Sequence, residues 1–414
     1  MSAIRIDPGS LLPAVFHAPP SKSDAIRARV LAHALGTSWP TESSPQPEDV
    51  AITERALRQL HGDIDCGDGG APFRFLLAQA AVTPGAQVRF FGSARLGARP
   101  HGPLLEALRA AGARIQLGRP WPIEVAGAIP STRRFRVEGL QSSQFASSLL
   151  LAAVACARRT GAEWMLELAG PLASRGYFEL TLEWVRRAGV RVFVGENLVE
   201  VGVPRSLTPT FSQGERGDWS GAAFLLLLAW RTGGVVQGLA RCGHPDEHVL
   251  RVLESVGLSV DLQGIGVRGE GRAGVELSAS QCPDLVPPLC ALACVLPAPS
   301  RFADVEVLRF KESDRLEGLR RLLSSAGGKT ELRCDTLTVW PIEKPRPFSV
   351  FPESDHRMAM TAATLAVLLG VPAVVHQPEC VSKSFPTFWE ELSLCGATSR
   401  CYDSARPFEE DLAF

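Results

Sequence analysis

The sequence predicts an α/β protein of two domains, built from six repeats of about 70 residues, and three observations carry that prediction. The first is a recurring pattern. A helical run with leucines at i, i+3 and i+4 spacing closes on glycine and passes into a strand-like segment at Leu104 to Gly112, Leu182 to Gly189, Val249 to Gly257, Leu319 to Gly327 and Phe388 to Gly396, with a weaker copy at Ala56 to Gly62. The second is its regularity: from Gly112 onward the closing glycines fall at intervals of 77, 68, 70 and 69 residues. The third is length, since 414 residues exceed one ordinary core while three such repeats make a domain of about 200 residues.

Composition narrows the functions open to such a chain. Lys+Arg 43 against Asp+Glu 44 gives a formal net charge of -1, which argues against binding nucleic acid through bulk charge. An anion site must therefore come from locally clustered arginines. The ten cysteines include no CxxC, and the nearest pair is Cys290 and Cys294; buried reduced thiols fit this better than a disulfide scaffold or a zinc site. Met1 to Leu12 lacks a basic region followed by an apolar core, and the apolar run Ala222 to Trp230 is about half of transmembrane length. A soluble, cytoplasmic protein without a membrane or nucleic-acid partner is expected.

The elements carry their polar residues at helix starts. Lys22 and Ser23 precede the apolar run Val30 to Leu35, with Arg27 one turn inside, an arrangement that serves an anion or an ordinary capped helix. Gly67-Asp68-Gly69-Gly70-Ala71-Pro72-Phe73-Arg74 joins the strand-like Ile64 to Cys66 to a helix; its glycines permit close approach of backbone to a ligand, but the spacing is neither a dinucleotide fingerprint nor a P-loop. Gly92 to Pro100 is too rich in Gly and Pro for a helix and reads as a loop carrying Arg95 and Arg99 toward solvent. Ser142, Ser143 and Gln144 stand before a helix spanning Phe145 to Ala155, either to cap it or to bind a polyhydroxylated ligand.

The second half repeats the plan with residue types suited to proton transfer. Asp284 precedes the apolar Leu285 to Val295, where desolvation would raise its pKa. The strand-like Phe302 to Phe310 leads into Lys311-Glu312-Ser313-Asp314-Arg315, with Ser313 or Asp314 capping the helix that follows. Asp355-His356-Arg357 precedes Met358 to Leu369, with His356 a base or an orienting imidazole, and Lys383 lies in the polar stretch before Phe385-Pro386. Neither Gly-x-Ser-x-Gly nor His-Glu-x-x-His occurs, which removes support for the hydrolase and zinc-protease readings.

In this order the motifs resemble those of the 5-enolpyruvylshikimate-3-phosphate (EPSP) synthase family. The match runs through Ser21 to Arg27, Gly67 to Arg74, Arg95 to Pro100, Ser142 to Phe145, Ser174 to Tyr177, Gly217-Asp218, Pro283-Asp284, Lys311 to Leu316, Asp355 to Met360 and Lys383 to Pro386. The resemblance implies an enolpyruvyl transferase fold: two domains, each of three βαβαββ units with internal pseudo-threefold symmetry. Residues 20–215 would form one domain and 1–19 plus 216–399 the other, with 400–414 a C-terminal extension. It also implies an enzyme that moves the enolpyruvyl group of phosphoenolpyruvate to shikimate-3-phosphate as a monomer, without metal or organic cofactor. Shikimate-3-phosphate would be held by Lys22, Ser23, Arg27, Ser142, Ser143, Gln144, Ser174, Tyr177, Asp284 and Lys311. Phosphoenolpyruvate would be held by Lys22, Gly70, Arg95, Gln144, Arg315, Arg357 and Lys383, and the proton-transfer groups would be Lys22, Asp284 and Glu312. In the family the inhibitor glyphosate sits against the turn containing Gly70, whose missing Cβ is expected to leave volume open.

The chain departs from the family at Asp68, Ala71, Pro72 and Phe75. An added carboxylate at Asp68 would repel an anionic substrate unless neutralised, for which Arg74 is the nearest candidate. The alternative reading is therefore a weakened or acceptor-altered paralogue that binds an anionic ligand. The fold-related transferase acting on UDP-N-acetylglucosamine is disfavoured, because its loop cysteine has no counterpart between Arg95 and Pro100.

Overall fold

Each glycine that punctuates the sequence lies at positive φ, a conformation costly for any residue with a Cβ: +76° at Gly62, +104° at Gly112, +82° at Gly189, +94° at Gly257, +96° at Gly327 and +85° at Gly396. The computed structural model describes residues 2–39, 46–138, 141–209, 211, 216–261 and 265–403. They divide into two units, Met1–Ser21 with Arg216–Phe414, and Lys22–Glu215.

The chain opens in the first of these with β1 (Ser2–Asp7) and β2 (Val15–His17), then supplies all of the second unit. That unit begins with the helix pair α1 (Lys22–Ala34) and α2 (Glu48–Arg58). Next come β3 (His61–Asp65), α3 (Gly70–Val82), β4 (Gln87–Phe91), α4 (Ala94–Ala98), α5 (Gly102–Ala110), β5 (Arg114–Leu117) and β6 (Ile123–Ala126). The last repeat is β7 (Arg134–Val137), α6 (Ser143–Thr160), β8 (Trp164–Leu168), α7 (Arg175–Arg187), β9 (Arg191–Val194) and β10 (Leu198–Gly202). Two sheets result, ordered β3-β4-β6-β5 and β7-β8-β10-β9. In each, the first two strands are parallel across a helix and the others are antiparallel, the βαβαββ pattern. The helices α3 and α6 are buried on nearly every side and, with Phe73, Phe90, Phe135, Phe145 and Trp164, form this unit's core.

The first unit resumes with α8 (Trp219–Thr232), β11 (Val235–Gln237), α9 (Val249–Ser255), β12 (Ser259–Asp261) and β13 (Gly266–Arg268). Two repeats follow. One is β14 (Glu276–Ser278), α10 (Val286–Ala293), β15 (Ser300–Ala303), α11 (Arg315–Ser325), β16 (Thr330–Arg333) and β17 (Thr336–Val339). The other is β18 (Phe348–Val350), α12 (His356–Leu369), β19 (Ala373–His376), α13 (Phe388–Leu394) and β20 (Thr398–Asp403). The sheet β14-β15-β17-β16 keeps the pattern, and the sheet β18-β19-β1-β20 completes it by inserting the chain's first strand. Likewise β2 pairs in parallel with β11. The two chain crossings run side by side, Ser21 N donating to Arg216 O at 2.8 Å and Asp218 N to Pro19 O at 2.7 Å.

Several expected elements differ. The strand-like Phe302 to Phe310 stops at Ala303, where Asp304 turns to φ +56°, and continues as a 3-10 turn over Val305–Phe310. Val305 and Leu308, both buried, lie three residues apart, the period of that tighter helix. The stretch Gly92 to Pro100, expected as a loop, holds the short helix α4 over Ala94–Ala98: Ser93 caps it by accepting from Leu96 N at 3.1 Å, and Arg99 and Pro100 fall beyond its end. The helix set at Phe145 to Ala155 runs over Ser143–Thr160 and closes on Gly161 at φ +68°. Gly62 does not end a helix, since α2 stops at Arg58 and Gly62 lies within β3. Residues 400–403, assigned to the extension, belong to β20 and pair with β1; residues 404–414 lie outside the described residues.

Candidate active site

In the first unit, candidate residues converge where strands hand over to helices. Arg315, the first residue of α11, is only 1% exposed and donates to three carboxylates: Nη1 to Asp284 Oδ1, Nη2 to Glu312 Oε2 and Nε to Asp355 Oδ2, each at 2.7 Å. Asp314, not Ser313, caps α11 by accepting from Glu317 N at 3.0 Å, while Ser313 Oγ donates to Asp355 Oδ2 at 3.1 Å. Asp355 also caps α12, accepting from Arg357 N at 3.0 Å. The same capped turn presents the Arg357 side chain, whose Nη2 lies 3.2 Å from Asp284 Oδ2; Lys311 Nζ lies 4.0 Å from Asp284 Oδ1. Lys383 Nζ donates to Ser354 O at 2.7 Å. His356 is buried beside this cap.

The charge state of Asp284 reverses the sequence expectation. Burial alone pushes its pKa up, but Arg357, Lys311 and Arg315 together outweigh burial and hold the carboxyl well below the usual carboxylate range. Arg315 shows the mirror effect: burial favours losing its proton, yet Asp355, Glu312 and Asp284 push its pKa up. Sequence neighbours of Asp284 are apolar and gave no sign of these cations. A further carboxyl, Asp246, is fully buried and accepts from the Ser220 hydroxyl. Burial pushes its pKa up, with Asp284 adding and His244, Ser220 and Arg357 opposing.

The second unit gathers the other candidates around the starts of α1, α3, α6 and α7. Lys22 Nζ pairs with Asp49 Oδ2 at 2.9 Å, an acid in the first turn of α2 that sequence reasoning did not select. Arg27 is 4% exposed and donates to Ser23 O at 2.8 Å, Thr181 Oγ1 at 2.8 Å and Tyr177 O at 3.0 Å, so it fastens α1 to α7. Burial pulls its pKa down to about 10 against the pull of Asp24 and Tyr177. Ser174 starts α7 at φ +52°. Ser142 caps α6, Ser143 is buried in its first turn, and Gln144 Oε1 accepts from Arg74 Nη1 at 2.7 Å. Arg95 is half-buried on α4.

The loop before α3 uses its glycines for approach by other side chains. A Cβ on Gly69 would stand 2.8 Å from Asp49 Oδ1, and one on Gly70 would stand 2.5 Å from Arg99 Nη1. The volume expected to be open beside Gly70 is thus filled by the Arg99 guanidinium. Arg99 itself, expected to face solvent, is buried because α4 ends against α3. Asp68 accepts from the Ser93 hydroxyl. Arg74 is directed toward Gln144, Pro100 O at 3.1 Å and His101 Nδ1 at 3.4 Å.

Four cationic side chains stand with three carboxylates at helix starts in the first unit, and helix N-termini with Lys22 and Arg99 stand together in the second; both arrangements suit anionic substrates and proton transfer. The fold is shared with solved enolpyruvyl transferases. An EPSP synthase from Acinetobacter baumannii superposes with a TM-score of 0.74 at 20% identity, covering 97% of this chain and 100% of that one. The enolpyruvyl transferase NikO from Streptomyces tendae gives 0.68 at 14% identity, covering 97% and 99%. The family is closer at hand in sequence. A model of EPSP synthase (3-phosphoshikimate 1-carboxyvinyltransferase) matches residues 48–392. Proteins named 3-phosphoshikimate 1-carboxyvinyltransferase from Methanoculleus marisnigri and Methanopyrus kandleri are 34% and 33% identical, covering 94% and 91% of this chain and 98% and 94% of theirs. The chain belongs to the EPSP synthase family.

Proposed function

We propose that this chain transfers the enolpyruvyl group of phosphoenolpyruvate to shikimate-3-phosphate, releasing phosphate, on the route to chorismate and the aromatic amino acids. A substrate hydroxyl oxygen attacks C2 of phosphoenolpyruvate and loses its proton to Asp284. The methylene carbon gains a proton from Glu312 or Lys22. The tetrahedral adduct then breaks its bond to phosphate, and loss of a methyl proton restores the double bond. The observation that carries this reading is the array in which Arg315 holds Asp284 and Glu312 on one guanidinium. Two carboxylates kept close but distinct in environment are what acid and base roles at neighbouring centres need. In the free protein Asp284 is too well paired to be a strong base. An anionic substrate that draws Lys311 and Arg357 to itself raises the Asp284 pKa at the moment a proton must be taken.

Shikimate-3-phosphate is assigned to Lys22, Ser23, Arg27, the Ser142 to Gln144 helix start, Ser174, Tyr177, Asp284 and Lys311. Phosphoenolpyruvate is assigned to Lys22, Gly70, Arg95, Gln144, Arg315, Arg357 and Lys383. The burial of Arg27 supports a role in fixing Ser23 and Tyr177 as much as direct contact. A monomeric, cytoplasmic enzyme completes the reading, and ten free cysteines, seven of them buried, fit a reducing compartment. No helix among the described residues is long and apolar enough to cross a membrane. The test is phosphate release from phosphoenolpyruvate with and without shikimate-3-phosphate. Release that depends on shikimate-3-phosphate is expected. Binding of phosphoenolpyruvate without release would turn the reading to an anion-binding paralogue, for which the relatives' names give no support.

A further inference from the structure

One face of α11 is only partly covered. Gly318, Leu322 and Ser325 recur at the i, i+4, i+7 spacing of a single helix face, with Arg321 beside them. Leu322 is buried, but the small residues on either side of it leave a cavity of about 300 Å³ between α11 and the chain leaving β18. Gly318 lies inside the helix, where backbone conformation does not require glycine and glycine weakens the helix. A Cβ there would come closest to the flexible end of Met358, with Cε at 3.3 Å, so the consequence of its absence is a deeper groove. Phe351 also lines the cavity, and its ring stacks on His376 with centroids 3.7 Å and planes 6° apart, His376 being held in turn by Ser349 at 3.0 Å. With one face covered in this way Phe351 is still 60% exposed, an aromatic surface held in place. Arg321 and Glu353, both on the lining and about half exposed, form an ion pair in which Arg321 Nη2 donates to Glu353 Oε1.

We propose that this groove binds a free aromatic α-amino acid, whose carboxylate takes Arg321 and whose ammonium takes Glu353, and that occupancy weakens phosphoenolpyruvate binding through the turn before α12. The second half rests on the assignment of Lys383 to phosphoenolpyruvate; the first does not. The chemistry of the lining selects the ligand class. Opposite charges side by side match a zwitterion, whereas a dianion meets Glu353 and a polyamine meets Arg321 with the wrong sign. A half-exposed ion pair contributes little, so exchanging it for two ligand charges costs little, and the Phe351 ring and Leu322 receive a planar apolar side chain. The link to Lys383 is the turn itself. Glu353 and Ser354 both lie at positive φ, +53° and +59°, a strained conformation for residues with a Cβ. Three bonds hold them there: Ser354 N donates to Gln377 Oε1 at 3.0 Å, Ser354 O accepts from Lys383 Nζ at 2.7 Å, and the Glu353 carboxylate accepts from Arg321. A ligand that parts Arg321 from Glu353 removes one of these restraints, the turn relaxes, and Lys383 loses the carbonyl that places it.

The experiment is calorimetric titration of the whole chain with L-phenylalanine, and with 3-phenylpropionate and phenethylamine, which each carry the ring and one of the two charges. L-phenylalanine is expected to bind with a dissociation constant of about 1 mM or below, and each fragment about tenfold more weakly. Arg321→Gln and Glu353→Gln are each expected to weaken L-phenylalanine about fivefold or more; the first should also weaken 3-phenylpropionate but not phenethylamine, and the second the reverse. Titrating phosphoenolpyruvate with and without saturating L-phenylalanine should show its dissociation constant raised about two- to fivefold, a coupling limited by what the ion pair contributes, and phosphoenolpyruvate should weaken L-phenylalanine by the same factor. The two charge variants should reproduce that rise without the amino acid and no longer respond to it. Equal binding of L-phenylalanine and its fragments, no binding up to about 10 mM, or binding unchanged in both charge variants would each overturn the site. Binding that leaves the phosphoenolpyruvate constant unchanged overturns the coupling. A wild-type protein that binds no phosphoenolpyruvate refutes the substrate assignment of Lys383, while the L-phenylalanine titrations still decide the site.

Discussion

Arg315 is held by carboxylates 3, 31 and 40 residues away in the chain, and that spread decides both what its loss would do and what the sequence concealed. Because Arg315 and Asp355 are both almost wholly buried, removing Asp355 takes from Arg315 the most deeply buried of its three carboxylates and takes from Ser313 its acceptor. Asp355→Ala is expected to destabilise the protein by about 3–5 kcal/mol in denaturant titrations, the cap on α12 being lost as well. A loss below about 1 kcal/mol would mean that the cluster relaxes or hydrates freely. Glu312→Gln keeps an oxygen near Arg315 but removes the charge of the carboxylate and its capacity to carry a proton. Turnover should fall about 10²–10⁴-fold with both substrates still bound, and near-normal turnover would take Glu312 out of the proton transfers. At this scale the sequence showed the residue types but not the sign of their interactions. The pKa of Asp284 was expected to rise because its chain neighbours are apolar; it falls because Lys311, Arg315 and Arg357 arrive from other turns. Asp49 has no motif to mark it, and Asp355 and Arg99 stand within recognised stretches without a role of their own, since each matters through a partner remote in sequence.

Elements were most legible where the signal is local. The glycines closing α5, α7, α9, α11 and α13 sit at positive φ, a requirement each makes by itself. Lys22 opens α1, and Asp314 and Asp355 cap α11 and α12 as short polar side chains before apolar runs do. The start of α4 was hidden because Gly97 and Pro100 suggest a loop, whereas Gly97 is needed for packing: a Cβ there would stand 2.7 Å from Pro120. Between α4 and α3 lies His101, 6% exposed, with Nδ1 accepting from Arg74 and Nε2 donating to Leu96 O. Burial first, then Arg74 and Arg99, pull its pKa down to about 3 against the Leu96 hydrogen bond. The unfolded chain takes up this proton near pH 6.5 and the folded chain only near 3, so the unfolded state binds more protons in that window and stability falls as pH falls through it. From pH 7 to pH 5 the contribution is about 2 kcal/mol. Asp246, with a raised pKa, works in the opposite direction above its unfolded value of 3.8, so the readout is a difference between proteins. His101→Gln keeps a donor and an acceptor without the titration, and its unfolding free energy should decline less than that of wild type by that amount between pH 7 and 5. Parallel declines would show that His101 is not held neutral by its surroundings.

At the scale of the whole molecule, the regular glycine spacing made the repeats visible, but not that the first strand of the chain is the third strand of its last sheet. That pairing joins Ser2–Asp7 to strands near residues 375 and 400, and no local pattern announces it. It has a consequence for folding, because the first unit cannot complete its sheet until both chain ends are present, whereas Lys22–Glu215 is one uninterrupted stretch with a core of its own. Each unit buries a separate set of apolar side chains, so each has the means to unfold cooperatively by itself. In scanning calorimetry without ligand, the calorimetric enthalpy should therefore approach twice the van't Hoff enthalpy, with a total on the order of 290 kcal/mol for the whole chain. A core substitution locates the transitions. Leu150 is fully buried in α6, and Leu150→Ala, costing about 2–5 kcal/mol, should lower one transition by roughly 5–15 °C while the other stays within about 2 °C. A single transition with equal enthalpies, moving as a whole when Leu150 is truncated, would mean that the two cores melt as one cooperative body.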